Sequence, residues 1–176
     1  MSTIVQDGEA VLRKIAEPVA EDLFGTPELQ KILDDMIVSL DREPDGVALA
    51  APQIGISRRI FIARFDRLIP PPGEGEPERP AEVGVFINPV FIRSSQRRIE
   101  MDEGCLSVRT IYGKTRRHER ATVRARAFDG SVFERGGGGI LAQVFQHEID
   151  HLDGILFIDH ATRLVKVERH DEPADA

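Results

Sequence analysis

A chain of 176 residues that is 41% hydrophobic and 30% charged can bury one core of its own, and its composition is that of an ordinary water-soluble fold. No stretch approaches the roughly 18 apolar residues of a membrane span. MSTIVQDGEAVLRK lacks the basic-then-apolar layout of a secretory signal, and the single cysteine, Cys105, permits no intrachain disulfide, so a cytoplasmic location is expected. A net charge of −7 argues against nucleic acid as a main partner, which would need a concentrated positive face.

In chain order, the first clear element is a helix over 26–40. Thr26 suits the cap, Pro27 the first helical position, and Leu29, Ile32, Leu33, Met36, Ile37 and Leu40 recur at helical spacing. DGVALAAPQIG (45–55) is small and apolar with one polar side chain, Gln53, and by itself reads as a turn and a buried segment. RRIFIARF (58–65) and VGVFINPVFI (83–92) read as strands. The Pro-, Gly- and Glu-rich residues between them predict a mobile surface loop over 67–82. In KTRRHERATVRARAF (114–128), His118 falls in a charged loop, whereas Thr122, Arg124 and Arg126 alternate with Val123, Ala125 and Ala127, the period of a strand with one solvated face.

Asp129-Gly130 is a turn pair between that strand and SVFER. Four glycines (136–139) predict a flexible lead into a second helix over 140–153, which Gly154 is placed to end. ILFID (155–159) reads as a short apolar strand or turn, and 167–176 as a frayed acidic tail. With no internal repeat and no βαβ alternation, the expectation is one α+β domain over 1–176, its small antiparallel or mixed sheets packed around the late helix.

On that helix His147 and His151 lie four residues apart on one face, so both rings can reach one ion. Glu148 sits about 100° round from His147, placed to reach a water rather than the ion. This is the HExxH arrangement of metallohydrolases, in which the glutamate is the general base. HExxH alone also occurs on solvated helices. Here Ile140, Leu141, Val144, Phe145, Ile149 and Leu152 make the helix apolar, and polar groups buried on it need partners.

The third ligand is the open question. Phe157 stands where a metzincin would carry its third histidine, and Glu168 lies in the polar tail with nothing to hold it. The remaining donor is Cys105, in MDEGCLSV (101–108). A lone thiol is otherwise an ordinary buried hydrophobe, but a thiolate with two imidazoles makes a tight site with one open position. The Leu106 backbone N–H, next to that sulfur, can donate to an oxyanion.

Together, GVALAAPQIG (46–55), EGCLS (103–107) and QHEIDHLDG (146–154) resemble the three signature motifs of the peptide deformylase family, in its order and at its spacing. The resemblance runs from VLRKIAEPV to ILFID. It implies Cys105, His147 and His151 as metal ligands, Glu148 as acid/base, and Gln53 with the Leu106 N–H as oxyanion donors. It also implies hydrolysis of the formyl group from N-formylmethionyl nascent peptides, with the peptide extended along Gly46, Val47 and Ala48. The methionine side chain would enter a pocket lined by Val47, Ile140 and Val144. Iron(II) is the ion the resemblance favours, with zinc, nickel or cobalt able to take its place.

Two positions depart from the family pattern: Ala48, where a second glycine is usual, and Arg109, where proline is usual. They keep open a divergent hydrolase acting on another formyl or acyl amide. A non-catalytic metal-binding relative that touches the ribosome through its arginine-rich strand is a further alternative. His118, His160 and His170 are expected on the solvated surface.

Overall fold

The computed structural model describes residues 3–70, 77 and 80–167. Among these residues two α-helices, α1 (Pro27–Asp41) and α2 (Ile140–Leu152), accompany eight strands. These are β1 (Ala48–Ala50), β2 (Ile60–Arg64), β3 (Val83–Ser94), β4 (Arg98–Cys105), β5 (Val108–His118), β6 (Arg120–Arg126), β7 (Val132–Gly138) and β8 (Thr162–Lys166). They form a five-stranded sheet in the order β1-β2-β3-β6-β7 and a three-stranded sheet in the order β4-β5-β8. All pairings between these strands are antiparallel. The class is α+β. No helix among the described residues is long and apolar enough to cross a membrane.

Helix α1 forms where its periodicity places it. Thr26 Oγ1 accepts from the Leu29 N–H at 3.3 Å, Pro27 opens the first turn, and Leu29, Leu33, Met36 and Leu40 are buried along one stripe. That stripe packs with Leu49, Ile54, Ile60, Ile62 and Ile87. A second core lies between α2 and the five-stranded sheet. There Ala142, Phe145, Ile149 and Leu152 meet Phe61, Phe86, Ala121, Val123 and Ala125. Phe61 and Phe86 stack at 4.5 Å, and Phe145 meets Phe86 edge-on at 5.4 Å. The alternation read in β6 holds: Val123 and Ala125 face this core, while Arg124 pairs with Glu134 and Arg126 with Glu21.

Three expectations need correction. The glycine run is not a flexible lead: Gly136, Gly137 and Gly138 are the last residues of β7, paired with Thr122, Ala121 and Arg120. A Cβ on Gly137 would come within 2.6 Å of Leu141, so glycine there lets the first turn of α2 close onto the sheet. His118 ends β5 rather than lying in a charged loop, half-buried, with its N–H donating to Gln146 Oε1 at 2.8 Å. ILFID, by contrast, takes the turn of its two expected forms, a 3₁₀ turn over Phe157–Asp159. Val167 is tied down, donating to Thr110 O at 2.7 Å, and β8 precedes it. The rest of the expected tail (168–176, with Glu168 and His170) lies outside the described residues, as do 71–76 and 78–79 of the expected loop.

Candidate metal centre

Helix α2 divides its residues between two environments. One face enters the phenylalanine core, and the other carries His147, Glu148 and His151 toward the end of β4. Gly154, at φ 75°, stops the helix; a Cβ there would meet the Arg13 backbone at 2.8 Å, so glycine also lets the N-terminal segment pass beneath. The Ala16 N–H donates to Leu152 O at 2.8 Å and fixes that passage.

Cys105 reaches the same place through an irregular strand. The β4–β5 register shifts between Gly104, opposite Tyr112, and Cys105, opposite Val108. Such a bulge re-aims a side chain. A Cβ on Gly104 would meet the Tyr112 ring at 2.7 Å, so the ring covers the glycine while the next residue presents its sulfur. Cys105 Sγ lies 3.2 Å from His151 Nε2, and the ligand atoms of Cys105, His147 and His151 all lie within 4.8 Å of one another. Ligands on a tetrahedral divalent ion sit about 3.5 Å apart, so small adjustments bring these three onto one ion. The Ser107 N–H, at 3.4 Å, and Gln53 Nε2, at 3.6 Å, both point at the sulfur.

The donors are held from outside. His147 Nδ1 contacts Glu103 Oε1 at 2.7 Å, which leaves Nε2 for the centre. Glu103 is buried and also receives Arg117 Nε at 2.9 Å, the Thr115 hydroxyl and Gln143 Nε2 at 3.3 Å. Arg117 Nη1 continues the chain to Asp150 Oδ2 at 2.6 Å. Burial alone would raise the Glu103 carboxyl, but Arg117 and His147 outweigh it and hold the group well below the usual carboxylate range.

Burial opposes charge on His147 as well, yet the Cys105 sulfur and Glu103 raise its pKa well above that of free imidazole. The surroundings therefore favour positive charge at this point, as a proton or as a divalent cation. Burial, reinforced by His147, pulls His151 well below its ordinary value and keeps it neutral, the form that binds a metal. Glu148 is 3% exposed, and burial pushes its carboxyl up to about 7. Among the described residues, Glu148 Oε2 and His151 Nδ1 are buried side-chain atoms with no hydrogen-bond partner. A polar atom left bare beside a two-imidazole, one-thiol donor set fits a site built around an ion and its water.

These groups open onto a cavity of about 300 Å³. Its walls include Gly46, Val47, Ala48, Gln53, Cys105 and Leu106 from one side, and Ile140, Val144, His147 and Glu148 from the helix. His151 is not in that wall; it sits behind, 1% exposed. Gln53 is buried in a 3₁₀ turn, where its Oε1 accepts from the Ala50 N–H at 2.8 Å and its Nε2 donates to Ser107 Oγ at 3.2 Å. The Ala48 side chain turns into a small cluster with Ala63 and Val144.

Sequence reasoning gave no role to Glu103, Arg117, Ser107 or Gln143. Glu103 was open to discovery, because a ligating histidine needs an acceptor for its second nitrogen and EGCLS carries a carboxylate two residues before the sulfur. The family model described as polypeptide deformylase matches residues 1–167. The chain belongs to this family. A peptide deformylase of Acidobacterium capsulatum is 44% identical over 88% of this chain and 83% of its own length. One from Desulfitobacterium hafniense is 41% identical over 91% and 94%. Among solved structures, the actinonin-bound class I type b peptide deformylase from Acinetobacter baumannii superposes with a TM-score of 0.79 at 32% identity, covering 92% of this chain and 99% of that one. Family members are metal-dependent hydrolases, which agrees with the donor set.

Proposed function

We propose that this chain is a peptide deformylase: it hydrolyses the formyl amide of N-terminal formylmethionine on newly made polypeptides and releases formate. The observation that carries the reading is the meeting of Cys105, His147 and His151 beside a buried Glu148 that lines the cavity and whose Oε2 has no hydrogen-bond partner among the described residues. Cys105 Sγ and the two Nε2 atoms would hold the ion. When bound, a divalent ion supplies a Lewis-acidic centre and makes water ionise near neutral pH. Iron(II) is the ion we favour; the borderline donor set also accepts zinc, nickel or cobalt.

Glu148, poised at about 7, takes the proton of the attacking water. It returns that proton to the nitrogen as the formyl carbon–nitrogen bond breaks, leaving formate and a free amino group. Gln53 can turn only one end of its amide to the cavity. Its Oε1 is fixed by the Ala50 N–H, so its Nε2 faces the sulfur and the open space, where with the Leu106 N–H it can donate to the formyl oxygen. β1 is an edge strand, so an extended peptide can add along Gly46, Val47 and Ala48. The methionine side chain then lies against Val47, Ile140 and Val144.

The setting we infer is the cytoplasm, where such nascent chains arise. A transient ribosome contact through β6 gains little support, since Arg124 and Arg126 spend their charge on Glu134 and Glu21. The test is formate release from formyl-Met-Ala-Ser by protein purified without oxygen, beside acetyl-Met-Ala-Ser. Formate from the first alone is expected. Equal turnover of the acetyl peptide would move the reading to a broader amide hydrolase, and no formate above the chelated control would reject it.

A further inference from the structure

Arg109 stands at the mouth of the same cavity and takes no part in the chemistry described so far. Its Nη2 donates to Glu43 Oε1 at 2.7 Å, with the two side chains 31% and 19% exposed, so the pair is reachable from solvent but not loosely tethered. Arg109 is the only lysine or arginine among the described residues lining the cavity.

The Glu43 end of the pair is stiff. In the turn after α1, the Gly46 N–H donates to Glu43 O at 3.0 Å, and Arg67 Nη1 reaches the carbonyls of Leu40, Glu43 and Gly46 at 3.4, 3.0 and 2.7 Å. A Cβ on Gly46 would meet Leu40 at 2.9 Å and Glu43 at 3.1 Å, so the turn has no slack. The Arg109 end is pushed outward. Between Val108, opposite Cys105, and Tyr112, opposite Gly104, three residues of β5 have no partner on β4. Thr110 sits among them at φ 65°, a left-handed conformation that a β-branched residue rarely adopts. The Val167 N–H holds its carbonyl at 2.7 Å.

A guanidinium carries five N–H donors in a fixed fork. Among the described residues Glu43 alone accepts from Arg109, through one of them. The others remain for a peptide leaving the cavity. We infer that Arg109, oriented by Glu43, reads the residue that follows the formylated methionine and favours an acidic side chain there. This deepens the deformylase reading and rests on it for the direction in which the peptide leaves. A carboxylate at that residue would share the fork with Glu43; an ammonium there would meet the guanidinium head-on, with Glu43 already engaged.

The experiment compares formyl-Met-Asp-Ala-Ser, its Asn counterpart and its Lys counterpart as substrates for wild type, Arg109→Gln and Glu43→Gln. A half-exposed ion pair predicts about a fivefold preference in kcat/KM for Asp over Asn, carried by KM. Arg109→Gln should bring that ratio to about one. Glu43→Gln, which removes the competing charge but keeps an acceptor, should raise it. Binding of the formyl-free peptides Met-Asp-Ala-Ser and Met-Asn-Ala-Ser, followed by calorimetry on the same proteins, reads the same ratio without turnover. A wild-type ratio of one, a preference for Lys, or a preference that survives Arg109→Gln would overturn the inference. If no peptide yields formate while the binding ratio behaves as expected, the deformylase reading falls and Arg109 stands only as the reader of the second residue of a bound Met peptide.

Discussion

The two faces of α2 obey different rules. Toward the five-stranded sheet, Phe145, Ile149 and Leu152 are buried among apolar atoms, and shape is all that matters there. Toward the three-stranded sheet, Glu148 and His151 are just as deep and His147 is half-buried, but each group's charge depends on its neighbours. The apolar face sets where the helix lies. The polar face uses that rigidity to keep an ordered chain, Asp150–Arg117–Glu103–His147, in register with the Cys105 sulfur. Damage to the first should therefore lower stability, and damage to the second should lower metal retention or turnover.

The sharpest break is Glu148→Ala. Formate release should fall by about 10²–10⁴ with the melting temperature unchanged or raised, because the substitution removes a buried carboxyl whose Oε2 has no partner among the described residues. Equal activity in the variant would sink the acid/base assignment. Next come Glu103→Ala and Phe145→Ala, which form a matched pair. Removing Glu103 leaves the buried Arg117 with Asp150 alone, and removing Phe145 opens a cavity; each should cost about 3–5 kcal/mol in urea unfolding.

The two part company in metal content. Glu103→Ala should lose affinity about 10–100-fold, whereas Phe145→Ala should keep its ion per folded molecule. Equal metal loss in both would mean that the two faces are not separable. A smaller effect is expected at Thr26→Ala, where loss of the helix cap should cost about 1 kcal/mol in the same unfolding assay.

The smallest effect lies at the sheet rim. Beside Arg64, the Asp66 carboxyl is lowered to about 2. Its folded value lies below the unfolded one of 3.8, so its contribution is fully present above pH 3.8 and fades as pH falls toward 2. Asp66→Asn should thus cost no more than about 1 kcal/mol at neutral pH, with the difference from wild type vanishing in acid. A gap that keeps its neutral-pH size down to pH 2 would point to packing rather than charge.

What could be read in the sequence follows the same division. α1, α2 and the β6–β7 hairpin were legible because apolar spacing repeats over their length and turn residues close them. β8 was not, since all five of its residues are exposed and no alternation marks them. KTRRH looked like a loop because two of its inward positions are Thr115 and Arg117, which the apolar pattern cannot flag. The glycine run looked slack because composition does not reveal that Leu141 presses on Gly137. At the centre, the paired histidines and lone thiol stand out by chemistry alone. Arg117 does not, because an arginine turned inward looks in sequence like any other on the surface.

β1 is three residues long, and its last N–H is already taken by Gln53. A polypeptide bound along that edge, as proposed, would find a very short ruler that stops dead at one end. Only a loose, unpaired chain terminus can use it; once a new protein has folded its own beginning into a strand or helix, that beginning no longer fits. With that binding mode trimming would run in a race against folding, and the three-residue edge would require it to be run early.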